Sequence, residues 1–139
     1  MILVHPSHRV INKGILTPAE FVEMVGRTCY KSTDKIEVGS AEKFIKGLVN
    51  RKHYAMLEHF WVHCLVKDNP DWFFVNVGDL PTKYTVITVT PEGNLLFSAP
   101  IRVLLEWADQ CKEVDRDYPV ILDSCIREYP EFFPNEIRS

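Results

Sequence analysis

The chain has 139 residues, 46% of them hydrophobic and 12% aromatic, with a formal net charge of -3. That suits one domain with ample core material and argues against disorder. No basic run occurs, so the clustered positive field of a nucleic-acid binder is missing. No apolar run approaches the roughly 20 residues of a membrane span. Met1-Ile2-Leu3-Val4-His5 lacks the features of a secretion signal, which predicts a cytoplasmic protein.

In chain order, Ile2 to Val4 reads as a short strand. Thr17-Pro18-Ala19-Glu20 is a helix start: threonine caps, proline takes the first helical position and Glu20 completes a capping box. This helix is predicted to run to Tyr30, with Phe21, Val22, Val25 and Cys29 on its apolar face. Ser40 caps a second helix whose stripe is Phe44, Ile45, Leu48 and Val49, with Lys46, Asn50 and Arg51 toward solvent.

Residues 58–67 read as a strand, with Phe60, Val62, Cys64 and Val66 on one face and His59, Trp61, His63 and Leu65 on the other. Two largely apolar faces predict a central strand. Residues 68–71 carry a turn signal, and 72–77 form a short apolar run that could be helix or strand. Residues 84–90 and 95–98 are the arms of a hairpin around Pro91-Glu92-Gly93-Asn94. Helices follow over 101–111 and 119–129, and then a polar tail from Pro130. The expected architecture is a single α+β domain over 1–139, with the helices at 17–30 and 41–52 packed on a mixed or antiparallel sheet.

Chemistry-bearing patterns are few. There is no glycine-rich phosphate loop, no nucleophile elbow and no His-Glu-x-x-His. His59 and His63 would stand about 13 Å apart along a strand, too far to share an ion, so no metal site is expected. Cys29, Cys64, Cys111 and Cys125 are widely spaced and read as reduced thiols, mostly buried. Trp61, Trp72, Phe73 and Phe74 are more aromatic surface than a small domain readily hides, which predicts a homo-oligomer.

The order Gly26-Arg27-Thr28-Cys29-Tyr30-Lys31-Ser32, then a helix, then Lys52-His53-Tyr54-Ala55-Met56-Leu57-Glu58-His59 and an apolar strand is the most specific signal. Over about residues 22–66 it resembles the N-terminal half of the flavin-dependent thymidylate synthases. The resemblance implies methylation of deoxyuridine monophosphate (dUMP) with a folate and reduced FAD, in a homotetramer whose active sites lie between subunits. Carried over residue by residue, it implies that Cys29, His53, the backbone at Ala55 and Glu58 line a flavin pocket. It assigns no catalytic residue. The family's Arg-His-Arg stretch, with the Ser, Glu, Ser and Arg-Tyr that follow it, is absent: residues 68–83 contain no arginine, histidine or serine.

Gly93-Asn94-Leu95 through Ile101-Arg102-Val103 resembles the family's later Gly-Asn-x-Arg segment at a different spacing. This makes Arg102 the candidate for substrate. Arginine in a helix's first turn opposes the helix dipole, which calls for an anion or an acidic side chain beside it. Two functions stay open on these grounds: a flavin-dependent synthase, or a non-catalytic relative that serves as a nucleotide- or flavin-binding or assembly module.

Overall fold

A computed structural model describes residues 16–136; the strand expected at Ile2 to Val4 lies outside them. The elements are α1 (Pro18–Cys29), α2 (Ser40–Asn50), β1 (Trp61–Val66), α3 (Pro70–Val77), β2 (Val86–Val89), β3 (Leu95–Pro100), α4 (Ile101–Glu113) and α5 (Val120–Glu128). Short 3-10 turns occupy 33–35, 54–59 and 130–132. The class is α+β, with an antiparallel sheet in the order β1-β3-β2. Among the described residues, no helix is long and apolar enough to cross a membrane.

Local sequence explains most elements. Thr17 Oγ1 accepts the Glu20 N–H at 3.2 Å and Pro18 opens α1, as the capping signal predicts. Along α1 the buried positions are Ala19, Val22, Glu23 and Gly26, a seven-residue helical repeat. Cys29 is exposed, because it lies one turn beyond the point where α1 crosses α2. In α2 the predicted stripe is inward, with Ile45, Leu48 and Val49 buried and Phe44 half-buried. Ser40 does not cap α2 but is its first residue; Gly39 holds the cap position at φ 81°. The Ser40 hydroxyl instead donates to Glu23 Oε1 at 2.7 Å, tying α2 to α1.

The crossing is close at Gly26. A Cβ there would stand 2.5 Å from Phe44 Cζ and 2.8 Å from Cε1. The ring cannot swing freely, since the Arg27 guanidinium covers it at 4.8 Å. In an open helix Gly→Ala would stabilise by about 1 kcal/mol. Here Gly26→Ala should instead destabilise by about 1–2 kcal/mol, because overpacking outweighs propensity. A lower urea midpoint at unchanged m-value checks this.

Further expectations need correcting. Among the described residues β1 is an edge strand, not the central one; β3 is central, and five of its six residues are buried. The outer face of β1 carries exposed Trp61, His63 and Leu65, which apolar content alone does not distinguish from a buried face. Residues 68–71 are not a free turn: Asn69 caps α3 by accepting the Trp72 N–H at 3.2 Å, with Pro70 at the first position. The polar tail is not peripheral, because Phe132 and Phe133 are buried in the core. Phe132 stacks on Phe60 with ring centroids 5.4 Å apart.

The helices expected at 17–30 and 41–52 do not pack on the sheet as anticipated: α1 and α2 pack chiefly on each other, on the 54–59 turn and on the 130–132 turn, where their apolar stripes find cover. The inner face of the sheet is covered by α4, whose Trp107 stacks on Phe97, by α3, whose Phe73 ring lies 5.0 Å from that of Phe97, and by Cys125 of α5 against Cys64. Arg116 donates to the carbonyls of Asn76 and Val77 at 3.3 and 3.1 Å and to Asp79 Oδ1 at 2.9 Å, closing the C-terminal end of α3.

Tyr54 joins the 54–59 turn to α4. It is buried, and its hydroxyl donates to Asp109 Oδ2 at 2.8 Å. Burial first, and then the Asp109 carboxylate, push its ionisation well above the ordinary tyrosine value. A group whose pKa is raised in the fold stabilises fully below its unfolded value, near 10, and that contribution falls as pH rises further. Tyr54→Phe should cost about 1 kcal/mol at neutral pH. It should also flatten the loss of stability above about pH 10. Denaturant titrations at neutral and alkaline pH read both effects.

Candidate functional site

The candidate site starts from the sheet register. β1 pairs with β3 so that Trp61 faces Pro100, and the Ile101 N–H continues the ladder onto the Phe60 carbonyl at 2.9 Å. The chain then turns at once into α4, placing Arg102 in that helix's first turn beside Glu58, the penultimate residue of the 54–59 turn. The guanidinium Nη1 meets Glu58 Oε1 at 2.5 Å, and its Nε donates to Glu106 Oε1 at 3.0 Å.

These residues line an open cleft of about 520 Å3. Its lining is Glu58, Trp61, Tyr84, Pro100, Arg102, Val103 and Glu106. Tyr84 is 73% exposed and sits at φ 66°, left-handed backbone that costs a tyrosine energy. The Lys83 ammonium lies 5.1 Å from its ring centroid. The lining offers two aromatic side chains, four carboxylate oxygens and one guanidinium fork.

The electrostatics follow from that inventory. Two carboxylates oppose one guanidinium, so the lining is net negative, and Lys83 behind Tyr84 only brings the neighbourhood to balance. Glu106 first holds the Arg102 proton more firmly than usual; burial opposes it, and Glu58 adds to the hold. Arg102 thus has the acidic partner its position calls for, and it comes from within the chain.

Of the residues singled out in the sequence, Glu58 and Arg102 meet in this cleft. Cys29, His53 and Ala55 do not line it. All three are exposed: Cys29 ends α1, His53 links α2 to the following turn with its N–H on the Leu48 carbonyl at 2.9 Å, and Ala55 begins that turn. His59 and His63 are both exposed and are not paired with each other; His63 Nδ1 lies 2.7 Å from Ser98 Oγ across the strands. Among the described residues, no group of three or more His, Cys, Asp or Glu side chains could hold a metal ion.

No protein-family model, no curated protein and no solved structure matches the chain. The site therefore rests on its own chemistry.

Sequence reasoning missed Tyr84 and Glu106 as site residues and placed Trp61 only at an interface. The Arg102–Glu106 pair carried a signal, four residues apart on one helix. Tyr84 carried none, since its place depends on the left-handed turn before β2.

The FAD that the resemblance implies can be tested against this lining. Its planar ring suits Trp61 and Tyr84, and its N–H and hydroxyl groups suit carboxylate acceptors. Its diphosphate does not fit: among the described residues no lining cation is free of a carboxylate, and two phosphate charges would face Glu58 and Glu106. The same mismatch applies to the phosphate of dUMP.

Proposed function

We propose that the chain is a non-catalytic relative of the flavin-dependent thymidylate synthases that serves as a binding module. Its cleft takes a planar heterocycle with N–H or O–H donors on its edge and no phosphate. The capture of Arg102 by Glu58 and Glu106 carries this reading, because it leaves acceptors and aromatic faces as the recognition elements. The ordered Arg27-Thr28-Cys29-Tyr30 and Leu57-Glu58-His59 segments support the ancestry.

Paired titrations test it: deoxyuridine against dUMP, and riboflavin against FAD, followed by tryptophan emission. Trp61 is the reporter, since it lines the cleft whereas Trp107 is fully buried. The phosphate-free member of each pair should bind at least as tightly, and Trp61→Ala should abolish the signal. Preference for dUMP or FAD would overturn the reading in favour of a phosphate site. No binding by any of the four would remove the binding role.

Assembly belongs to the same proposal. Phe73 is buried and Trp72 half-buried, but Phe74 stays 49% exposed. Leu65, Leu96 and Val86 are exposed on the face of the sheet that also bears Trp61. None of the residues that β1, β2 and β3 direct to that face is acidic, lysine or arginine. Such a face suits a second copy of the chain. Sedimentation at micromolar concentration should show more than a monomer, and Leu65→Glu should shift it to one.

A further inference from the structure

Two of the four cysteines come together where the proposed function has no use for them. Cys64 on the inner face of β1 and Cys125 on α5 are both free thiols, and their Sγ atoms are 3.9 Å apart. They lie 61 residues apart in sequence, so no local motif places them. Cys125 is buried, whereas Cys64 is only half-buried, on a strand that lies at the sheet edge among the described residues. Cys111 and Cys29 form no such pair: the first is fully buried and the second is exposed at the end of α1.

We propose that Cys64 and Cys125 form a redox site that reacts with hydroperoxides and closes to a reversible disulfide between β1 and α5. The thiols need to approach by about 1.9 Å to reach a sulfur–sulfur bond of about 2.05 Å. Rotation about χ1 of the half-exposed Cys64 is the available motion. The pair also has the asymmetry such a site needs. Either thiol can donate in this contact; with Cys125 donating, ionisation of the half-exposed Cys64 is eased, while the same bond and burial push the deeper Cys125 thiol up. Cys64 is therefore the attacking sulfur and Cys125 the resolving one.

The chemistry balances with hydrogen peroxide as the oxidant. The Cys64 thiolate attacks one peroxide oxygen; a sulfur–oxygen bond forms, the oxygen–oxygen bond breaks, and the departing hydroxide takes a proton and leaves as water. Cys64 is now a sulfenic acid. The Cys125 sulfur attacks the Cys64 sulfur, the sulfur–oxygen bond breaks, and the Cys125 proton leaves with the hydroxide as a second water. Two thiols have lost two electrons, and one peroxide has gained them. A dithiol reductant reverses the reaction by exchange at sulfur.

The test uses the full chain with a small molar excess of hydrogen peroxide, quenched by alkylation in denaturant so that all four thiols are counted, and read by peptide mass mapping. The expected product is a Cys64–Cys125 cross-linked peptide two hydrogen atoms lighter than the separate peptides, with reactive thiols falling from four to two. Dithiothreitol should restore all four. Thermal unfolding of the oxidised chain should shift upward by several degrees. Cys64→Ser should prevent both the cross-link and the shift. Because Cys125 is buried and its replacement could disturb folding, the second arm uses time-resolved trapping with a sulfenic-acid reagent on the unaltered chain, which should label Cys64 before the cross-link appears. Over-oxidation of Cys64 without cross-linking, intermolecular bridging through Cys29 alone, or an unreactive pair would each overturn the proposal.

Discussion

Incubated with dUMP, a methylene-folate and reduced flavin, the isolated chain should form thymidylate at least about a thousandfold more slowly than an enzyme that grips the phosphate with several arginines. The reason is charge. Each hydrogen bond to a charged group contributes about 1.5–3 kcal/mol, so lacking three removes at least about 4 kcal/mol, or three powers of ten. The described arginines beyond β1 are Arg102, Arg116 and Arg127. Arg102 is held by two glutamates, Arg116 closes the end of α3, and Arg127 contacts Ser124 at 3.3 Å. Measured turnover at an ordinary enzymatic rate would sink the non-catalytic reading, and Arg102→Ala would then be the first variant to assay. Partner chains added to the same assay show whether another subunit supplies the missing cations.

The largest stability effect should come from Trp107→Ala. Trp107 is fully buried in α4 and stacks on Phe97 with ring centroids 5.5 Å apart. Its Nε1–H donates to the Pro81 carbonyl at 2.7 Å, which ties the segment before β2 to the helix. Truncation removes the packing of the largest fully buried side chain among the described residues and the hydrogen bond to Pro81 in one step. A loss of about 3–5 kcal/mol is expected, a large share of the stability of a domain this size. Trp107→Phe separates the two contributions, since it keeps most of the packing and loses the hydrogen bond. Urea unfolding of both variants against the unaltered chain provides the measurement. A loss below about 1 kcal/mol for Trp107→Ala would show that the site relaxes without a cavity.

What the sequence made legible was local. Thr17-Pro18 marked the start of α1, the stripe through Ile45 and Leu48 marked α2, and Pro91 to Asn94 marked the hairpin, because caps, periods and turns act within a few residues. Asn69-Pro70 shows the limit of such signals. The same residues open a turn or cap a helix, and the short run from Trp72 to Val77 is too brief for its period to decide. Phe132 and Phe133 were hidden for another reason: prolines and charges surround them, and only the tertiary fold lays them against Phe60. Glu58 and Arg102 were each picked out, but not as partners. Their meeting depends on the β1–β3 register, and no local pattern encodes that register. Cys29 fits its helix face by period, yet it lies past the end of the surface that would cover it.

The ladder that continues from β1 into the first turn of α4 also sets when the cleft can exist. Glu58 and Arg102 lie 44 residues apart and meet only after β1 has docked on β3. The β2–β3 hairpin closes over a short turn and can form within microseconds, whereas β1 must close a far longer loop. The cleft is thus a product of nonlocal pairing, and occupancy is linked to the whole folding equilibrium. A ligand held there raises the midpoint of unfolding in proportion to the logarithm of its concentration. Amide exchange along Trp61–Val66 should slow in step with that rise, making the edge strand the natural gauge of whether the cleft is filled.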